Sequence, residues 1–164
     1  MAPTENQRSM PRWLPIVVLA LVAVRVAMLY VKSASEKRAA TSQVQWVPIA
    51  DAKRIAASTR KPILYEFSAD WCKPCKLVER DFSDKALAAR INAGYVPVRV
   101  VDRQAEEGAN PRDIAELERT YQVRSFPLIV VVDAGGNVRG REDGYSGPEA
   151  LAQFIEEHAA RESH

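Results

Sequence analysis

Two thiols lie three positions apart in Cys72-Lys73-Pro74-Cys75, and they are the only cysteines in the 164 residues. Side chains at this spacing can close a disulfide, exchange it with another thiol pair, or offer two soft ligands to a metal. Such a bridge closes a very short loop and removes little entropy from the unfolded chain, so its value is chemical rather than structural. With one pair, a scaffold of structural disulfides is excluded. A structural zinc normally has four protein ligands, and the two histidines, His158 and His164, fall in or beyond the last expected helix. No cofactor is therefore expected beyond the redox-active pair Cys72–Cys75, and no metal; the competing chemistry is capture of soft copper(I) by the two sulfurs.

The position of the pair makes its members unequal. Cys72 follows an apolar stretch containing Leu64–Phe67 and stands at the start of the next helix, where unpaired N–H groups and the helix dipole favour an anion. Because the thiolate is the attacking species, Cys72 is expected to be the exposed nucleophile. Cys75, one turn further on and nearer the core, is expected to resolve the mixed disulfide. Lys73 adds positive charge beside the pair, and Pro74 stiffens the turn.

The elements that must position these residues follow from hydrophobic periodicity and punctuation. A helix is expected over Ile49–Thr59, a strand over Pro62–Ser68, and helix over Cys72–Arg80 and Asp84–Asn92 with a break near Phe82-Ser83. Tyr95–Asp102 reads as a second buried strand, Arg103–Asn110 as a polar loop, and Pro111 opens a helix to about Tyr121. Pro127–Asp133 is a third apolar strand, the turn Ala134–Asn137 leads to a weaker strand over Val138–Glu142, and Pro148 opens a last helix to about Ala160. A β-α-β start followed by an antiparallel β-β-α finish predicts an α/β fold, a central mixed sheet with helices on both faces.

Ahead of this domain, residues 1–12 form a short polar tail and 13–31 an apolar run close to the roughly 20 residues that a membrane-spanning helix needs. Trp13 and Tyr30 suit its two interfaces, and Arg25 is near enough to one end to snorkel. The run is read as a transmembrane anchor. The competing reading is a secretory signal with Arg8 and Arg12 ahead of an apolar core at Ile16–Val24. Either one exports the C-terminal remainder of the chain, which divides into a linker over 32–45, the domain over 46–160, and a tail at 161–164. The 23 basic and 21 acidic residues leave a net charge of +2 and are interspersed, so nucleic acid is not expected as a partner.

The segment Glu66-Phe67-Ser68-Ala69-Asp70-Trp71-Cys72-Lys73-Pro74-Cys75 resembles the active-site segment of thioredoxins, and the resemblance extends to Phe126-Pro127 and to Gly144 before the final helix. It covers roughly residues 46–160. Within that superfamily, Lys61-Pro62 through Phe82-Ser83-Asp84 is most similar to the C-terminal periplasmic domain of the disulfide-interchange protein DsbD and to membrane-tethered thioredoxins. The resemblance implies a thioredoxin-like fold and a thiol–disulfide oxidoreductase that reduces protein disulfides, at the inner membrane and facing the periplasm. It makes Glu66, standing where thioredoxins carry a buried aspartate, a candidate proton acceptor for Cys75; burial in an apolar strand would raise its pKa toward neutrality. Glu79, four residues after Cys75, matches an acidic position that could tune the thiols. Pro127 is implied to be cis and to face the disulfide, with Trp71 and Phe126 offering apolar surface to a docking peptide. With one possible span, the chain would have to trade electrons with a separate membrane partner. The rival function is a binding module whose cysteines hold copper or a client.

Overall fold

Strands that are apolar on both faces need cover on both sides, and that requirement organises this fold. The computed structural model describes residues 24–25 and 43–159. Val24 and Arg25, helical and exposed, are the described part of the expected anchor; the rest of 13–31, with the tail at 1–12, lies outside the described residues, as do 160–164. No helix among the described residues is long and apolar enough to cross a membrane.

In chain order the domain runs α1 (Ile49–Thr59), β1 (Ile63–Ala69), α2 (Lys73–Asp81), α3 (Lys85–Gly94), β2 (Val96–Asp102), α4 (Gln104–Glu107), α5 (Arg112–Thr120), β3 (Leu128–Val132), β4 (Val138–Asp143) and α6 (Pro148–His158). The four strands form one mixed sheet in the order β2-β1-β3-β4. β1 pairs with β2 in parallel and with β3 antiparallel, and β3 pairs antiparallel with β4. Every residue of β1 and of β3 is buried.

Alternation along the strands divides the core in two. Leu64, Ile129 and Val131 pack with Val78 and Phe82 near α2, Leu87 and Ile91 of α3, and Leu151 and Ile155 of α6. On the opposite face Ile63, Tyr65, Phe67, Val98 and Val130 pack with Ala52 and Ala56 of α1 and with Ile114 and Leu117 of α5. The expected mixed sheet with helices on both faces is therefore present.

Two features differ from the sequence reading. The polar stretch Arg103–Asn110 contains the one-turn helix α4, supported by an Arg103–Glu107 ion pair at 3.4 Å and ended by Gly108 at φ 80°, a conformation that glycine adopts without strain. Core packing also begins inside the stretch read as linker. Val44 is buried, Asn92 accepts a hydrogen bond from Gln45 N–H at 2.8 Å and donates one to Gln43 O at 3.0 Å, and Val47 N–H reaches Pro97 O at 2.8 Å.

Candidate active site

β1 ends at Ala69, and Cys72 N–H donates back to Ala69 O at 3.1 Å, so the chain turns sharply from strand into α2. Cys72 is the N-cap of that helix and Pro74 lies in its first turn, where a missing N–H costs nothing. Cys72 and Cys75 are joined by a disulfide of 2.04 Å with a Cα separation of 5.3 Å. Cys72 Sγ accepts a hydrogen bond from Cys75 N–H at 3.2 Å. On reduction, the same donor and the positive end of α2 would face a thiolate at Cys72.

Cys72 is not the exposed residue the sequence suggested: it is 2% accessible and Cys75 0%. The reason is packing. Ala69 and both cysteines form a small cluster against which Phe126 lies, and the Phe126 ring meets that of Trp71 edge-on with centroids 5.9 Å apart. Trp71 itself is 58% exposed, and Lys73 and Pro74 are exposed too, so accessible surface surrounds a nearly covered disulfide. The Phe126-Pro127 peptide bond is cis. Pro127 is buried, and its carbonyl accepts from Gly144 N–H at 2.9 Å, which holds the two family-like positions of the C-terminal half together.

Glu66 lies on the sheet face that α2 covers and is 0% accessible. A bare carboxylate there would be untenable, and its partner comes from the adjacent strand. Glu66 and Arg99 are register partners in the parallel β1–β2 pair, and Arg99 Nε donates to Glu66 Oε2 at 2.5 Å. Glu66 Oε1 is buried with no hydrogen-bond partner. Burial pushes the Glu66 carboxyl above its ordinary pKa, against the pull of the Arg99 charge and hydrogen bond. The carboxyl thus has one anchored oxygen and one free oxygen, an arrangement able to take up a proton.

Glu79 is half-buried, 3.3 Å from Lys76 and 3.9 Å from Arg99 Nη1. Arg99 therefore brings Glu66 and Glu79 to one guanidinium, whose carbon lies 4.4 Å over the ring of Trp46. Sequence reading missed both Arg99 and Trp46. Arg99 did carry a signal, as the one charged residue between the two ends of the apolar stretch Tyr95–Asp102. Trp46 carried none, because it reaches the site from outside the periodic elements.

A groove of about 410 Å³ lies beside Trp71 and Phe126, lined also by Val123, Asp102, Glu118 and Arg124 among others. Asp102 sits here because it is the register partner of Ala69 at the end of β2. Asn110 Nδ2 donates to Asp102 Oδ2 at 2.5 Å and to Glu118 Oε2 at 2.9 Å, and burial raises the Glu118 pKa. Among the described residues no group of three or more His, Cys, Asp or Glu is arranged to hold a metal ion.

Comparison with known proteins agrees with this geometry. The thioredoxin-like domain family matches residues 49–159. The thiol:disulfide interchange protein DsbD of Vibrio vulnificus (strain YJ016) is 33% identical over an alignment of 130 residues that covers 74% of this chain and 21% of that protein. This chain thus spans about a fifth of the DsbD relative's length. Thioredoxin of Haemophilus influenzae is 27% identical over 117 residues, 71% of this chain and 98% of that protein. Among solved structures, one described as a DsbH oxidoreductase superposes with a TM-score of 0.59 at 23% identity, covering 70% of this chain and 83% of that one. The oxidised C-terminal domain of Neisseria meningitidis DsbD gives 0.55 at 19% identity, with 66% and 90% covered. At such identities the structural likenesses speak for the fold.

Proposed function

Because the chain belongs to the thioredoxin-like family, we propose that it is a membrane-anchored protein-disulfide reductase whose domain works in an exported compartment, the periplasm. The observation that carries the reading is the cysteine pair at the start of α2, at disulfide distance, with Cys72 Sγ facing the Cys75 N–H group. In the reduced protein the Cys72 thiolate attacks one sulfur of a substrate protein's disulfide. That bond breaks, a Cys72–substrate disulfide forms, and the released sulfur takes a proton from solvent. Cys75 then gives its proton to Glu66 and attacks Cys72 Sγ. The Cys72–Cys75 bond closes, the Cys72–substrate bond breaks, the leaving substrate thiolate takes a proton from solvent, and the substrate departs as a dithiol carrying two electrons. Trp71 and Phe126 supply apolar surface for the docking peptide and keep water from the exchange.

Another dithiol must return those two electrons. The similarity to DsbD supports a membrane electron-transfer protein in that role. Direction is a matter of relative potential. A reductase should lie near thioredoxin's value, roughly −270 mV, and far from the roughly −120 mV of a strong oxidant.

The test is insulin-disulfide reduction by the full chain, run beside an equilibrium measurement of the Cys72–Cys75 potential. Turnover that Cys72→Ser abolishes, with a potential near the lower value, supports the reading. An inactive wild type that binds copper(I) in tight one-to-one stoichiometry would replace it with a ligand-holding module.

A further inference from the structure

Asp81 stands in an unfavourable place for a carboxylate. It is the last residue of α2, where the helix dipole already concentrates negative charge, and its side chain is buried. Two neighbours hold it. Arg80 donates from Nη2 and Nε to Asp81 Oδ1 at 3.1 and 3.2 Å, and the Tyr145 hydroxyl donates to Oδ2 at 2.6 Å. Arg80 is adjacent in sequence and mostly exposed, whereas Tyr145 lies 64 positions further on, in the loop between β4 and α6. The Tyr145 ring already packs against the core that α2, α3 and α6 share, so the hydroxyl bond adds position rather than burial.

The loop that Tyr145 anchors leads back to the disulfide by a short path. Gly144, next to it, has φ 86°, which glycine adopts without strain, so the backbone there does little to fix the loop by itself. Gly144 N–H donates to Pro127 O at 2.9 Å, one position beyond the Leu128–Asp143 register pair. Pro127 follows Phe126, whose ring lies against Ala69, Cys72 and Cys75 and edge-on to Trp71. From Cys72 a circuit therefore runs along α2 to Asp81, across to Tyr145, back through Gly144 and Pro127 to Phe126, and closes on the sulfurs. The Tyr145–Asp81 link is the side-chain hydrogen bond in that circuit.

We propose that Tyr145 is a positioning residue of the docking surface: its hydroxyl, held by Asp81, fixes the β4–α6 loop to the end of α2 and so holds Phe126 over the Cys72–Cys75 pair. This inference rests on the thiol–disulfide reading above, in which Trp71 and Phe126 receive the substrate peptide. A protein substrate gains from a Phe126 already in place, because less side-chain and loop motion has to be frozen on docking. A small reagent gains nothing from that surface and meets Phe126 only as cover. Releasing the loop therefore acts on the two in opposite directions. Protein docking weakens, and the sulfurs become easier for a small thiol to reach.

The experiment uses the full chain and two readouts. One is single-turnover oxidation of the reduced protein over a range of insulin concentrations, and the other is the rate at which dithiothreitol reduces the Cys72–Cys75 bond. Tyr145→Phe keeps the ring and removes only the hydroxyl. It should raise the half-saturating insulin concentration and speed the dithiothreitol reaction, each by roughly two- to tenfold, the range that one lost hydrogen bond supplies. The limiting rate with insulin should stay unchanged, as expected when docking rather than chemistry is affected. Asp81→Asn keeps an acceptor for the hydroxyl and should remain near wild type in both readouts. Tyr145→Phe leaves Asp81 Oδ2 buried without a donor; if that variant does not fold, Tyr145→Phe with Asp81→Leu removes both partners and should show the same pair of shifts. A half-saturating concentration or a dithiothreitol rate that stays at the wild-type value, or a dithiothreitol rate that falls, overturns the role of Tyr145. A wild type that insulin does not oxidise, while its dithiothreitol rate still responds to Tyr145→Phe, overturns instead the functional reading.

Discussion

Cys72 and Cys75 differ less in exposure than in surroundings. Both are buried, yet Cys72 caps α2 beside exposed Trp71, Lys73 and Pro74, whereas Cys75 points into the domain. If attack and resolution are divided accordingly, Cys75→Ala should accumulate a mixed disulfide through Cys72, and Cys72→Ala should accumulate little; mass spectrometry of captured substrate reads the difference, and equal trapping by both variants would reverse the assignment. Glu66 carries a second prediction. Its folded pKa is raised above its unfolded value, so the folded state binds its proton more tightly. Its contribution to stability is fully present below the unfolded pKa and is lost as pH rises through the folded one. Urea titrations of the oxidised protein, whose cysteines cannot titrate, should show wild-type stability falling with pH relative to Glu66→Gln across that window. A constant difference between the two would sink this. Cys72, Cys75 and Glu66 were legible as residue types in a strand-to-helix context. Arg99 was not, because its pairing with Glu66 across a sequence distance of 33 exists only once β1 and β2 lie in register.

The elements were legible where the chain punctuates itself. Asp84 illustrates it: its side chain accepts from Ala86 N–H at 3.0 Å and Leu87 N–H at 2.9 Å, which starts α3 and separates it from α2 at Phe82-Ser83. Asp84→Ala should cost about 1 kcal/mol in a urea titration, within the usual range of roughly 0.5–2 for a lost cap, and leave exchange kinetics unchanged. A loss of exchange at intact stability would show that α3 reaches the site in a way its cap does not suggest. α4 escaped the periodicity argument because one turn is too short to display a period; its support comes from a charge pair and a glycine stop. The Cys72 exposure was misjudged for a related reason. A helix N-terminus faces solvent by default, but here Phe126, far along the chain, packs over it.

For the molecule as a whole, residues 1–41 and the domain are expected to separate cleanly in function. Removing residues 1–41 should leave the urea midpoint and insulin reduction as in the full chain while abolishing recovery in a detergent-extractable membrane fraction. Extending the cut through Val47 strips Val44 from the core, the Trp46 ring from Phe82 and Arg99, and the Val47–Pro97 hydrogen bond. That cut should cost at least roughly 1.5–3 kcal/mol for the buried valine alone. Equal stability of the two truncations would mean that this segment rides on the domain without supporting it. The cysteine pair, the order of the strands and of the helices longer than one turn, and the apolar run at 13–31 were all readable along the chain, because each depends on residue spacing within a short window. The burial of both sulfurs under Phe126 and the gathering of Glu66, Glu79 and Trp46 around Arg99 were settled by folding. Each of these depends on which distant segments touch, and no local pattern of spacing encodes that.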